Sequence, residues 1–323
     1  MPAFDLLSGA STPIVGKDEW LAHRGDILSR MQEAMGALPS QPSLPLDLRV
    51  ESEVAESGYT LRTISFATES WDRLWAYLLI PDTLNQAVPG ILALHPTSSS
   101  GKGAVMGLGE AYYPAYAREL AQLGYVVLAP DYPGFGDAVE TRARLYAEGY
   151  VSCTMKGVWN HQRCLDVLCA MPEVNKERLA SVGHSLGGHN SLFLGAFDAR
   201  IKAVVTSCGF TRFGRYMEGD LTGWSHDGYM PRIREVYGCS PERMPFDFTE
   251  VLAAQAPHAA FVCAPLNDSN FEVSGVVDCV NAAEPVYSLL GATGRLVAQY
   301  PTGGHDFPES TREKAYAFLK RWL

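Results

Sequence analysis

Hydrophobic positions along the chain change character near residue 88. Before it they are spaced out. Residues 17–38 carry Trp20, Leu21, Ile27, Leu28, Met31 and Met35, a rough helical stripe that stops at Pro39. The next stretch, Pro39-Ser40-Gln41-Pro42-Ser43-Leu44-Pro45, has the composition of a connector. Tyr59 to Ala67 alternates in part, through Tyr59, Leu61 and Thr63, and Leu74 to Ile80 is closed by Pro81. Both pieces predict antiparallel strands that open a sheet.

After residue 88 the apolar runs become short and nearly continuous. They are Gly90–Leu94, Tyr125–Ala129, Leu179–Gly183, Ile201–Val205, Ala259–Ala264 and Arg295–Gln299. Continuous apolarity marks strands buried on both faces, as in a parallel sheet covered by helices. Helical stretches fall between them: Glu110–Leu123 before Gly124, Met155–Ala170 before Pro172, and a final helix. In that last helix Ala315, Phe318, Leu319, Trp322 and Leu323 share one face. The interval from Val205 to Ala259 is too long for a plain crossover. It predicts a lid-like insertion over residues 208–258, holding Trp224, His226, Tyr229, Pro231 and Pro241. The expected organisation is an N-terminal helical extension over residues 1–50 and an α/β domain over 51–323. Its central sheet is expected to be mostly parallel and flanked by helices.

Composition narrows the function. With 323 residues, 47% hydrophobic and 19% charged, the chain can build a large core and is not a disordered or collagen-like polymer. Its 26 basic and 36 acidic residues leave a formal charge of −10, which repels phosphate backbones and anionic membranes. No nucleic-acid or membrane partner is therefore expected. No run approaches the ~20 apolar residues of a membrane span. Met1-Pro2-Ala3-Phe4-Asp5 lacks the basic and apolar regions of a signal peptide. Seven scattered cysteines suit small buried hydrophobes in a reducing compartment, so a cytoplasmic location is expected. His161, Cys164 and Cys169 are chance neighbours on a helix, and no Cys pair has zinc-site spacing. Neither metal nor cofactor is expected.

The chemistry centres on Gly183-His184-Ser185-Leu186-Gly187, followed by Gly188. This G-x-S-x-G stretch lies between a predicted strand and a predicted helix, Leu186–Phe197. So sharp a turn leaves no room for side chains at 183 and 187 and exposes the Ser185 oxygen at the sheet end. A serine needs a base to become a nucleophile. Of eight His, His305 follows the last predicted strand in Pro301-Thr302-Gly303-Gly304-His305-Asp306-Phe307. Asp268 follows the preceding strand and is the candidate to orient the imidazole, with Glu272, Asp278 and Asp306 as alternatives. The backbone N–H of Leu186 opens the helix and faces a developing oxyanion. A second donor is expected from the loop His95-Pro96-Thr97-Ser98-Ser99-Ser100-Gly101-Lys102-Gly103, with Thr97 first and Ser98 beside it. That loop looks basic and flexible but lacks the spacing of a phosphate-binding loop. His95 is expected to be structural.

The elbow, the segment Ala129-Pro130-Asp131-Tyr132-Pro133-Gly134-Phe135-Gly136 and the Gly304-His305 loop together resemble the α/β-hydrolase superfamily. From about residue 50 onward the chain is similar to bacterial esterases of the dienelactone hydrolase, acetyl xylan esterase and prolyl oligopeptidase-like group. The order Ser185, Asp268, His305 is the superfamily's order. Ser185 stands where dienelactone hydrolases proper have Cys, so lactone specificity does not transfer. Ala256-Pro257-His258 stands where relatives often have Ala-Pro-Arg.

The resemblance and the residues imply a serine carboxylic-ester hydrolase acting through an acyl-enzyme on small to medium esters. Its partner would be a small-molecule ester. Trp159, Trp224, Tyr229, Phe210 and Phe213 are candidates to line the pocket, against the plainer role of core or lid packing. An amidase, peptidase or carbon–carbon hydrolase would use the same triad. A hydrolase-fold binding protein without catalysis would be expected to have a broken triad, and here every position is filled. The N-terminal helix and connector are compatible with packing in a homo-oligomer.

Overall fold

A computed structural model describes residues 6, 14–39, 44–109 and 113–323. Connector residues 40–43, the start of the Glu110–Leu123 helix and Met1–Asp5 lie outside the described residues. Among those described, one sheet holds nine strands. They are β1 (Arg49–Glu56), β2 (Tyr59–Ala67), β3 (Arg73–Pro81), β4 (Val88–Leu94), β5 (Val126–Pro130), β6 (Val174–His184), β7 (Ile201–Ser207), β8 (Ala259–Cys263) and β9 (Leu296–Gln299). The order across the sheet is β1-β2-β3-β5-β4-β6-β7-β8-β9. β1, β2, β3 and β5 pair antiparallel in turn, and every pairing from β5 through β4 to β9 is parallel.

The helices are α1 (Lys17–Met35), α2 (Tyr116–Gln122), α3 (Thr141–Ala147), α4 (Cys153–Ala170), α5 (Leu186–Phe197), α6 (Arg232–Glu235), α7 (Phe248–Ala253), α8 (Val273–Leu289) and α9 (Glu309–Trp322). Successive strand residues feed two separate cores, because side chains alternate across the sheet. In β4, Leu92 and Leu94 join the core beneath α1, α4, α5 and α8, while Ile91 and Ala93 join the one beneath α2 and α9. Both faces of the central strands are thus dry, as their unbroken apolar runs require.

Three local features depart from the sequence-based expectation. β1 is an additional edge strand with all eight residues exposed, so no buried face betrays it. α2 starts only at Tyr116, beyond Pro114, whose ring and missing N–H are incompatible with a helix interior. α4 starts two residues before Met155, where the Ser152 hydroxyl accepts the Met155 N–H at 2.9 Å and caps the helix.

The N-terminal helix is docked on the body of the domain. Trp20, Ile27, Met31, Ala34 and Met35 are buried in the larger core. Arg24 donates to the Ala196 carbonyl at 2.6 Å and to the Ala254 carbonyl at 2.9 Å, and Arg30 pairs with Glu250 at 2.6 Å. Between β7 and β8 the chain runs through short turns, α6 and α7, and packs its own aromatic cluster. That stretch covers the residues where an insertion is expected, and its Tyr229 reaches Thr97 beyond the end of β4.

Candidate active site

Ser185 joins β6 to α5 with φ 54° and ψ −118°, a left-handed-side conformation that a non-glycine residue adopts only under constraint. The constraint is visible in the neighbouring glycines. A Cβ on Gly183 would strike the Gly187 carbonyl, and one on Gly187 would strike the Leu94 carbonyl. A Cβ on Gly188 would sit 2.8 Å from the Cα of Gly209. The Ser185 N–H donates to the Ser207 carbonyl at 2.8 Å, pinning the turn to β7. The first N–H groups of α5, Leu186 foremost, have no partner within their own helix and carry its positive end.

His305 and Asp268, the expected base and acid, come from the loops after β9 and β8. His305 Nδ1 lies 3.0 Å from each oxygen of Asp268. Asp268 also accepts the N–H groups of Asn270 at 2.8 Å and Phe271 at 3.1 Å. Its side chain is 1% exposed and that of His305 is 27% exposed, so the acid is sealed and the base is open. Burial works against the Asp268 charge, but the His305 hydrogen bond and charge, with the two N–H groups, hold its carboxyl below the usual range. The loops are tied together: Leu266 N–H donates to the Pro301 carbonyl at 2.9 Å and Asn267 N–H to the Gly303 carbonyl at 3.0 Å.

The rival carboxylates are engaged elsewhere. Glu272 takes the Ser274 hydroxyl, Asp278 faces Arg212 at 3.6 Å, and Asp306 caps the Phe307 N–H at 2.7 Å. The His184 ring lies tilted 5.0 Å from that of His305 and is driven down to about 3 by burial and by His305, so it stays neutral. Cys208, the Asp268 carboxylate and a His305 nitrogen lie within 4.8 Å of one another, the sole such trio among the described residues. Burial raises the Cys208 thiol, which donates to the Asp306 carbonyl at 3.2 Å.

The loop after β4 is held more firmly than its sequence suggests. His95 Nδ1 donates to the Pro96 carbonyl at 2.7 Å, and its Nε2 accepts the Tyr132 N–H at 2.9 Å. Both nitrogens are spent, as expected of a structural residue. Lys102 is buried, with its ammonium 2.6 Å from Asp131 and 2.5 Å from Asp137 and its N–H on Asp131 at 2.7 Å. The loop that looks basic and flexible in sequence is in fact clamped. Thr97 is exposed at its tip, and its hydroxyl meets the Tyr229 hydroxyl at 2.7 Å.

Residues 103–233 match the family described as the alpha/beta hydrolase fold. A glucuronoyl esterase from Solibacter usitatus superposes with a TM-score of 0.76 at 19% identity, over 99% of this chain and 97% of that one. The fold is that of the α/β-hydrolases. Putative hydrolase YtaP of Bacillus subtilis is 24% identical over 93% of this chain and 100% of its own length. Esterase FrsA of Photorhabdus laumondii subsp. laumondii is 27% identical over 46% of this chain and 32% of its own.

Within this fold the expected pocket residues separate. Trp159 is 1% exposed, with its indole N–H on the Thr68 carbonyl at 3.0 Å. Phe210 stacks on Phe248 with centroids 5.4 Å apart, and Phe213 is fully buried between Phe246 and Phe248. All three serve packing, a correction that follows from burial: a ring with no accessible face cannot touch a substrate. Tyr229 reaches the loop after β4, where its hydroxyl meets that of Thr97. Trp224 lies behind it, 6.2 Å from the Tyr229 ring and 4.8 Å from that of His189. Sequence alone gives His189 no role, because it sits mid-helix.

Proposed function

We propose that the protein is a serine carboxylic-ester hydrolase that works through an acyl-enzyme on small to medium esters. The observation carrying this reading is the strained Ser185 at the head of α5, in a fold whose loops after β8 and β9 hold a His305–Asp268 pair at 3.0 Å. His305 takes the Ser185 proton as Oγ attacks the acyl carbonyl, and Asp268 fixes the tautomer and stabilises the imidazolium. The Leu186 and Thr97 N–H groups receive the oxyanion. His305 then protonates the leaving alcohol, and later activates the water that frees the acid. Small-molecule esters fit a site whose inner wall is packed aromatic side chains. No helix among the described residues is long and apolar enough to cross a membrane. The cytoplasm is the compartment we favour, since all seven cysteines are unpaired.

A fluorophosphonate probe tests the nucleophile. The wild-type chain is expected to be labelled and Ser185→Ala is not; an unlabelled wild type overturns the reading. A panel of p-nitrophenyl esters against matching anilides tests the bond. Faster anilide than ester turnover would replace the esterase with an amidase.

A further inference from the structure

The turn that joins β2 to β3 borders a cavity that the hydrolase chemistry leaves unused. β3 runs antiparallel to β5, with Ala76 opposite Pro130, so residues 68–72 lie beyond the carboxyl end of β5. Ser185 stands at the same end of the sheet, because β4 runs parallel to both β5 and β6. The turn is closed tightly: the Thr68 and Glu69 N–H groups donate to the Asp72 carbonyl at 3.1 and 3.3 Å, and the Asp72 N–H returns to the Glu69 carbonyl at 3.3 Å. The cavity beside it holds about 310 Å³. Small-molecule pockets span about 300–1,000 Å³. Glu69, Trp71, Glu148, Tyr150 and Val151 line it, and each of them keeps accessible surface.

The charges around this cavity do not balance. Lys156 is held by Asp72 at 2.7 Å, and Arg144 by Glu148 at 3.4 Å. Glu69 has a neutral partner, the Tyr150 hydroxyl at 2.6 Å, and forms no ion pair among the described residues. Lys156 feels the Glu69 charge from beyond ion-pair range. One negative charge is therefore left over, on a half-buried carboxylate in the cavity wall. The wall beside it is aromatic. Trp71 and Tyr150 meet edge to face, with centroids 6.3 Å apart at 71°. Both rings already receive positive charge from the chain. Lys156 Nζ lies 4.9 Å from the Trp71 centroid and 5.7 Å from that of Tyr150, and the Arg144 guanidinium lies 5.3 Å from that of Trp71. Lys156 is sealed in the fold, whereas the Arg144 side chain is 55% exposed and its ion pair is weakly held.

We propose that this cavity binds a small organic cation, an ammonium group with a compact alkyl body. Its charge pairs with Glu69, and its alkyl groups lie against Trp71, Tyr150 and Val151. Arg144 is the chain's own competitor for the Trp71 ring. An anion would meet the carboxylates of Glu69 and Glu148. A neutral polyol would leave the Glu69 charge unmatched, whereas a cation neutralises it and gains the attraction of the rings. The site takes no part in the Ser185 chemistry and stands or falls apart from it.

Choline is the probe, and 3,3-dimethylbutan-1-ol, which has the same shape without the charge, is its control. Both are titrated against the wild-type chain and followed by the line widths of their methyl protons. Choline is expected to saturate one site at about millimolar concentration, and the neutral isostere to bind at least about ten-fold more weakly. Glu69→Gln and Trp71→Leu should each weaken choline by about five-fold or more. Arg144→Gln should instead tighten it by about two- to five-fold, since it removes the competing guanidinium and leaves Glu148 unmatched. A damaged fold cannot produce that gain. Choline that does not saturate, or an isostere that binds as well, overturns the proposal on the wild-type chain alone. D-glucose binding more tightly than choline overturns it in favour of a polyol site. Weaker or unchanged choline binding in folded Arg144→Gln overturns the placement of the cation on Trp71.

Discussion

Two regions border Ser185 and are built by opposite means. The elbow is assembled from glycines packed against backbone: at 183, 187 and 188 a single added carbon meets a main-chain atom. The insertion after β7 is assembled from rings. Trp224 contacts Phe213, Tyr216, Phe248 and Phe271 with centroids 5.4 to 6.0 Å apart. Backbone contacts cannot be relieved by a rotamer change, whereas packed side chains can be exchanged for others of similar volume. Ser185 therefore stands on the part of the molecule with least freedom to vary. The wall that would read the substrate stands on the part with most.

The largest effect should come from the rigid side. His305→Ala is expected to lower ester kcat by about 10⁴- to 10⁶-fold, and combining it with Ser185→Ala should cost little more, since the two act as a unit. Additive losses measured in steady-state kinetics would mean that they do not share one step. Gly187→Ala tests the elbow without touching a reacting group. Its Cβ must push the Leu94 carbonyl, at the end of the strand that leads to Thr97. Soluble Gly187→Ala should lose about 100-fold in kcat/KM, the scale of a small misplacement of reacting groups. Gly214→Ala in the insertion is exposed with nothing within 4 Å of its new carbon, and should stay within about two-fold. Equal tolerance at the two glycines would break the comparison.

Acid should undermine the elbow side first. His161, His184 and His189 are all buried, and burial lowers each to about 3; the charge of His95 adds to this for His161, and that of His305 for His184. Unfolded, each titrates near ~6.5. Below that pH the unfolded chain takes up protons that the folded chain refuses until about 3, so stability falls as pH drops through this window. Asp268 acts in the same sense at lower pH, because its carboxyl is held below the usual range and its contribution lasts until pH falls through that lowered value. Between pH 7 and pH 5 the three histidines should cost about 1–2 kcal/mol each, read from urea midpoints. His161→Leu should reduce the pH dependence by one histidine's share. A midpoint that does not move over this range refutes the buried, neutral assignment.

What is legible in the sequence follows the same division. β2 and α5 are found at their expected limits, Tyr59–Ala67 and Leu186–Phe197, because alternation and the glycine elbow are local signals. The Ser185, Asp268, His305 order is readable since each follows a strand end, and strand ends show as breaks in apolar runs. β1 leaves no trace, because Val50 and Val54 face solvent and bury nothing. Lys102 looks mobile in sequence because its partner Asp131 lies 29 residues away, beyond any local pattern. Trp159 and Phe210 show that an aromatic type does not say which way its ring will face. Only packing decides that.

The smallest effect should arise where the two regions touch. The Tyr229 hydroxyl, carried by the insertion, bonds Thr97 Oγ1 at 2.7 Å, and Thr97 is the residue whose N–H we assign to the oxyanion. Among the described residues, the hydrogen bond between these two hydroxyls joins the insertion to the loop after β4. Tyr229→Phe keeps the ring and its contact with His226 at 4.2 Å, and removes only the bond. A net hydrogen bond is worth about 0.5–1.5 kcal/mol, so kcat should fall roughly 2- to 12-fold with KM nearly constant. Thr97→Val should cost a similar amount. Because both variants delete the same bond, the double variant should be no worse than either alone, which a double-mutant cycle on kcat measures directly. Independent losses would show that Tyr229 serves the site by another route. The aromatic wall would then be free of the oxyanion loop, and the division between the two regions would be complete.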